Sequence, residues 1–386
     1  MNVLFLTAWY PTAENQGYGV FIKEHAKAVQ SASNELVVLA VLSLYSKSFF
    51  EIRVNDFQDE SGIRTVEILI HSRFRDAIYH FIPFQNRIAF HYYKKLISKD
   101  FVPEIIHSNV IFPAGTTGHY FQKKLHLPHV ITEHWSKIES ALSKFYLSRS
   151  IQKSYQEADA VLPVSNYLKS NILELFPGLQ SQKFHIVPNV IDSETYFYKP
   201  KLHSNETVKF CAVATWATKK IPDKMPELFM EALNIVQKSI HQKIVLTMVG
   251  SGDRVEELKK MQLNYPVEFV GYRSKSEIAD ILHQSDFMLH ASAMETFGIV
   301  VAEALMTGTP VVCSNVGALP ELVDETNGIL CENTLNDWVL GIEKALNAEF
   351  NHKKISEVVA HKFSYRSIGK QINEVYQQIV DQPKSF

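Results

Sequence analysis

Short apolar runs rich in β-branched residues recur through the first half of the chain: NVLFLTA from residue 2, ELVVLAVL from 35, EIIHSNV from 104, HVITE from 129, AVLPVS from 160 and FHIVPN from 184. Their apolar positions are consecutive rather than alternate, the pattern of strands buried on both faces. Stretches long enough for helices lie between them, such as GVFIKEHAKAVQ from 19, where Val20, Phe21, His25, Ala28 and Val29 share one face. A second series follows: VKFCAVAT from 208, KIVLTMVG from 243, VEFVG from 267, FMLHAS from 287 and PVVCSN from 310, with helical patterns in MPELFMEALNIVQKS and EIADILHQ. Strands alternating with helices predict βαβ units and parallel sheets. The polar, turn-rich NVIDSETYFYKPKLHSNET separates the series and reads as a hinge around 195–206. The expected fold class is α/β, with two Rossmann-like domains, 1–200 and 201–363, facing each other across a cleft. The amphipathic closing segment, about 364–386, is able to pack back on the first.

One residue breaks the apolar pattern in a way that asks for chemistry. FGIVVAEALMTG reads as a helix after the strand FMLHAS, closed by Gly308, and Glu303 lies inside its apolar run. A carboxylate among such neighbours needs a partner. Gly298 at the helix start lets a ligand approach the backbone, and the free amides there suit a diphosphate. Glu303 lies five residues further, roughly 7–8 Å along the axis at 1.5 Å per residue. That is about the offset from a nucleotide's diphosphate to its ribose, whose vicinal hydroxyls would satisfy the carboxylate. Glu295, in the loop AMET with Thr296, falls on the other side of the phosphates, where an attached sugar would sit. In the first half, Gly17 and Gly19 follow the first strand and give a weak phosphate-loop signal, since G-x-G-x-x-G is not completed.

The whole chain limits the alternatives. At 386 residues about two domains are expected. A formal net charge of −2 gives no footprint for nucleic acid. Cys211, Cys313 and Cys331 show no metal-type spacing, and Cys211 and Cys313, in apolar strand-like runs, read as reduced buried thiols. No HExxH accompanies the 16 histidines and no D-x-D occurs, so neither a metal nor a cofactor is expected. VGSGDR lacks the last glycine of a dinucleotide fingerprint, which argues against a dehydrogenase. No run of about 18 apolar residues predicts a membrane span, and MNVLFLTAWYP reads as a first strand rather than a signal peptide. A cytoplasmic protein is expected.

The block HASAMETFGIVVAEALMTGTPVVCSNVGALPELV resembles the signature of family 4 glycosyltransferases of the GT-B fold, with Glu295 and Glu303 as its E-x7-E pair. The resemblance extends over nearly the whole chain, through TEH at 132–134, VPNVID at 187–192 and MVGSG at 248–252. It implies a retaining transferase that moves a sugar from a nucleotide donor, held by the C-terminal domain, to an acceptor hydroxyl on a glycan or a lipid-linked glycan. It places Glu295 at the donor sugar, Glu303 at the ribose, the backbone of Phe297, Gly298 and Ile299 at the phosphates with Thr296 beside them, and the base near Gly271 in FVGYRS. It gives His134 a positioning or electrostatic role near the reacting sugar. The family's Arg position reads Thr215 here, a departure. The family's Lys is Lys220 counted forward from the strand, or Lys224 counted backward from ELFMEAL; the second keeps the helix in register. Lys219 or Lys220 could stand in for the missing Arg. A sugar phosphorylase or epimerase of the same fold, or a non-catalytic nucleotide-sugar-binding protein, are the alternatives. Enzymes of this kind are associated with surface polysaccharide or lipopolysaccharide synthesis.

Residues 71–100 carry six basic residues, Arg73, Arg75, Arg87, Lys94, Lys95 and Lys99, against Asp76 and Asp100, interleaved with Phe74, Tyr79, Phe81, Phe84, Phe90, Tyr92 and Tyr93. Basic residues with aromatics on helical stretches suit an anionic membrane surface. The pattern predicts peripheral attachment at the cytoplasmic face of the inner membrane, with a core-plus-solvated-face reading as the alternative.

Overall fold

The computed structural model describes residues 1–13, 15, 17–135, 138, 145–200, 206–217 and 224–381. The chain divides into two units, Met1–Val190 with Tyr365–Phe386, and Ile191–Ser364. The division falls earlier than the 200/201 boundary read from composition. The turn-rich segment starts unit two because Ile191 N–H donates to the carbonyl of Phe363 (2.8 Å), tying it to the helix His352–Phe363.

The first unit holds strands β1 (Asn2–Thr7), β2 (Glu35–Tyr45), β3 (Glu51–Gln58), β4 (Arg64–Ser72), β5 (Ile105–Asn109), β6 (His129–Glu133) and β7 (Ala160–Pro163), in the order β3-β4-β2-β1-β5-β6-β7. All neighbours are parallel except β3, which runs antiparallel to β4. Successive residues of β1 serve opposite faces. Val3 and Phe5 pack with Ile22, Ile368 and Ile372, whereas Leu4 and Leu6 pack with Ala89, Tyr93 and Phe121. The closing helix Tyr365–Val380 lies against the helix Val20–Ser31, and Gly369 makes this possible: a Cβ there would sit 2.2 Å from the Ala28 carbonyl oxygen.

Two details depart from the apolar pattern. FHIVPN forms no strand; Phe184 makes a single bridge to Val161, and Pro188, lacking an N–H, cannot extend a ladder. The β3–β4 pair lies in EIRVNDFQDESGIRTVEILIHS, which gave no clear signal: β3 is an edge strand with mostly exposed side chains, and the apolar run of buried β4 is broken by Glu67 and His71.

The second unit is a six-stranded, all-parallel sheet: β8 (Thr207–Val213), β9 (Lys243–Val249), β10 (Val267–Gly271), β11 (Phe287–His290), β12 (Val311–Ser314) and β13 (Gly328–Cys331), in the order β10-β9-β8-β11-β12-β13. Strand order reverses between β8 and β11. In open α/β sheets the carboxyl ends flanking such a reversal form the ligand crevice. The segments leaving those ends here contain Lys224 and Glu295.

Candidate active site

Glu295, 9 % exposed, sits at the reversal point with its carboxylate held by two donors. Lys224 Nζ forms an ion pair with Oε1, and His290 Nε2 lies 2.8 Å from the same oxygen. Backbone contacts put each group there. Lys224 bridges Ser292, Met225 N–H donates to the Ala291 carbonyl (3.1 Å), and Arg254 Nη1 donates to the Lys224 carbonyl (2.8 Å) while its guanidinium pairs with Glu227. Ala318 N–H donates to the Glu295 carbonyl (2.9 Å), and Gly317, at φ 56°, leaves no room for a Cβ beside it. Burial alone would raise the Glu295 carboxyl, but His290 and Lys224 bring it down to about 2. His290 is held below its ordinary value by burial and by the neighbouring ammonium. The cluster is therefore carboxylate, ammonium and neutral imidazole, with the imidazole N–H donated to Glu295.

Three residues beyond Glu295, Gly298 has φ 94° and starts the helix Ile299–Met306 with no side-chain cap. The left-handed backbone demands glycine there; a Cβ would also press on Leu319 Cδ2 at 2.6 Å, the movable end of a side chain. Val301 and Ala302 N–H both turn back to the Gly298 carbonyl, while the amides before them have no intrahelical acceptor. Phe297 is buried with its ring edge-on to Phe363 (5.5 Å), so its side chain serves the core and only its backbone is at hand for a ligand. Thr296 is half-buried. Glu303 is half-buried on a helix whose Val301, Ala302, Ala304, Leu305 and Met306 are all buried. Gly271, at φ 71°, closes β10 with open space where a Cβ would go, next to an exposed Tyr272.

Of the two lysine countings, Lys224 is the one seen beside Glu295; Lys220 and Lys219 lie outside the described residues. Thr215, at the family's arginine position, is exposed. Arg254 in the glycine turn after β9 instead braces Lys224 through its carbonyl. Arg254 and His290 were not singled out from the sequence, because nothing in their local pattern distinguishes them.

In the first unit, His134 follows β6 and is 8 % exposed. Its Nδ1 lies 2.9 Å from Asn189 Oδ1, and His25 Nε2 lies 3.3 Å from the same oxygen. An amide oxygen only accepts, so both imidazoles donate to it, and His134 keeps its proton on Nδ1. Asn189 thus fixes the tautomer of His134. Burial holds both imidazoles neutral, His25 near 4 and His134 well below its ordinary value. Beneath them, fully buried Glu133 accepts from the backbone N–H groups of Ile111, His134 and Trp135 and from the Tyr155 hydroxyl. It anchors the loop on which His134 sits. Gly19 has φ 69° and packs so that a Cβ would lie 2.4 Å from the Trp9 carbonyl oxygen, whereas Gly17 has no such constraint.

Comparison with known proteins follows this division. Residues 16–195 match the family Glycosyltransferase Family 4, and residues 211–361 match Glycosyl transferases group 1. An uncharacterized glycosyltransferase of Methanocaldococcus jannaschii is 24% identical over 345 residues, 83% of this chain and 91% of the relative. The GPI3 subunit of the Saccharomyces cerevisiae phosphatidylinositol N-acetylglucosaminyltransferase is 24% identical over 266 residues, 65% of this chain but only 57% of that subunit. Among solved structures, sucrose-phosphate synthase from Thermosynechococcus elongatus superposes with a TM-score of 0.72 at 18% identity, covering 98% of this chain and 99% of that one. Anabaena HepE in complex with UDP-glucose gives 0.68 at 17% identity, covering 98% and 100%. These two likenesses establish the fold, and with family matches on both sides of residue 200 the chain belongs to the family 4 glycosyltransferases of the GT-B fold, which draw on a sugar nucleotide as donor.

Proposed function

We propose that the chain is a retaining, metal-independent hexosyltransferase that moves a sugar from a nucleoside-diphosphate donor to an acceptor hydroxyl in polysaccharide or glycolipid synthesis. One observation carries this reading: the Glu295–Lys224–His290 cluster stands three residues before an uncapped helix start, at the reversal point of the second sheet. The amides at Phe297, Gly298 and Ile299, with Thr296, receive the diphosphate, and Glu303 accepts from the ribose hydroxyls. The base lies by Gly271. Glu295 accepts from hydroxyls of the transferred sugar. As the C1–O bond to phosphate breaks, an acceptor oxygen bonds C1 on the same face, and the leaving phosphate takes the acceptor's proton. Negative charge gathers on that phosphate, and Lys224 together with the helix start stabilises it. His134, with its proton on Nδ1, offers Nε2 as an acceptor to a sugar hydroxyl.

A panel of UDP-, GDP- and ADP-sugars screened by thermal shift and turnover tests this reading. One donor is expected to raise the melting temperature through linkage and to be turned over unchanged after EDTA treatment. Absence of any donor effect, or activity lost to EDTA and restored by Mn²⁺, would contradict it.

A membrane-linked acceptor is a second reading, supported by the surface of residues 71–100. The aromatics there divide. Phe84, Phe90, Tyr92 and Tyr93 join the core, whereas Phe74 and Phe81 are 49% and 58% exposed. With Phe49, Phe50 and Ala77 they line an open apolar groove of about 430 Å³. Arg73 lies over the rings of Phe49 and Phe74, at 5.1 and 4.9 Å. No helix among the described residues is long and apolar enough to cross a membrane. Co-sedimentation with anionic but not neutral vesicles is expected, lost near 0.5 M salt where screening shortens to roughly 4–5 Å. It should weaken when Arg73, Arg75, Lys94 and Lys95 become Ser. Failure to sediment at low salt would rule out this surface.

A further inference from the structure

We propose that His290 is a positioning residue of the sugar-binding carboxylate: it fixes which oxygen of Glu295 faces the substrate. The inference rests on the donor-site reading above. His290 is the last residue of β11 and 3 % exposed, so its imidazole is carried by the sheet rather than by a loop. Its Nε2–H meets Glu295 Oε1 at 2.8 Å, and Lys224 Nζ converges on that same oxygen, 3.4 Å from the ring nitrogen. With both donors on Oε1, Oε2 is the oxygen left to accept a sugar hydroxyl.

The two donors differ in permanence. Lys224 has a flexible stem, and its charge is needed at the leaving diphosphate. The imidazole is rigid, and it keeps Glu295 oriented when the ammonium moves toward phosphate. Being neutral, it orients the carboxylate without repelling Lys224. It also closes the turn from His290 to Glu295, which Ser292 Oγ braces from inside by donating to the Met294 carbonyl (3.1 Å). The E-x7-E signature includes the two carboxylates but not this imidazole.

The test compares His290→Leu, His290→Gln and Glu295→Ala with wild type, using UDP-glucose, UDP-N-acetylglucosamine, GDP-mannose and ADP-glucose and reading whichever supports wild-type turnover. His290→Leu is expected to lower kcat by roughly 10- to 100-fold, the worth of a hydrogen bond to a charged group. Donor KM and nucleoside-diphosphate affinity should stay within about twofold. His290→Gln, whose amide N–H reaches the same place, should regain most of the rate. Should the leucine variant fail to fold, His290→Asn, polar but too short to reach Glu295, is expected to show the same loss. Near-wild-type kcat in the leucine or asparagine variant, beside a crippled Glu295→Ala, overturns the role of His290 and leaves the donor-site reading intact. Equal losses in the leucine and glutamine variants, tracking lowered melting temperatures, would reduce His290 to packing. Full turnover in Glu295→Ala, or none by wild type on any donor, overturns the reading itself and the inference with it.

Discussion

Replacing Glu295 with alanine is expected to lower kcat by roughly 100- to 1000-fold, the scale seen when a preorganised polar contact to a transition state is removed. Nucleoside-diphosphate affinity should hold or tighten. The two effects separate because Glu295 is proposed to meet the sugar, while the phosphates meet Lys224 and the helix start at Gly298. Deleting the carboxylate frees Lys224 Nζ from its ion pair and leaves it available to the diphosphate. Glu295→Gln keeps the shape but loses the charge that holds Lys224, and an intermediate kcat is expected. Single-turnover rates set beside calorimetric affinities for both variants separate the effects. Parallel loss of rate and affinity would move Glu295 from the sugar to the phosphates.

The second large effect is on stability in mild acid, and it belongs to the first unit. His25, His107, His129 and His134 are all buried, and burial is the main cause holding each below its ordinary value. His107 bonds to the Tyr376 hydroxyl and to Thr132, and His129 Nε2 lies 2.8 Å from Ser108 Oγ. In the unfolded chain these rings take up protons as the pH falls through 6.5; in the folded chain His25 and His129 resist until about 4 and 3. The unfolded state therefore binds more protons across this window, and folding stability must fall as pH is lowered. For His25 alone, a folded value of about 4 against 6.5 corresponds to about 3 kcal/mol lost by pH 4. Glu133 and Glu67, both raised by burial, work in the opposite direction, as two groups against these four. Between pH 6 and 5, where ordinary carboxylates contribute little, urea unfolding should lose more than the roughly 1.4 kcal/mol per pH unit that one titrating proton supplies. A flat or rising stability over that interval would mean that these imidazoles are protonated in the native state.

What the sequence revealed, and what it hid, follows from how each feature is encoded. Buried parallel strands such as Leu4–Leu6 or Val37–Leu42 appear as continuous apolar runs because both faces are covered. The helix Ile299–Met306 was legible from the glycines at its two ends. Glu303 stood out as a candidate because a carboxylate in an apolar run is a local anomaly, and the structure places it half-buried on that helix. The β3–β4 pair was not legible: β3 is an edge strand whose side chains are set by solvent, and in buried β4 the polar Arg64, Glu67 and His71 interrupt the apolar run. Nor were the contacts that place the site. Lys224 meets Glu295 across 71 residues of chain, and Asn189 joins His134 across 55 and His25 across 164. Such pairings are products of sheet order, and no window of sequence contains both members. The lysine ambiguity shows the same limit: the helix register favoured Lys224, but only the bridge to Ser292 places its side chain beside Glu295.

The central claim is that the second unit holds a nucleoside diphosphate with its ribose on Glu303, and calorimetry with one matched pair of ligands tests it. The titrants are the nucleoside diphosphate that the donor panel selects and its 2′,3′-dideoxy analogue, each against wild type and Glu303→Ala. Wild type is expected to bind the dideoxy analogue about 1–3 kcal/mol more weakly, the cost of leaving the carboxylate without its hydroxyls. Glu303→Ala should bind the natural ligand that much more weakly and no longer tell the two apart. Equal binding of both ligands by wild type, or a preference that survives in Glu303→Ala, would contradict the account.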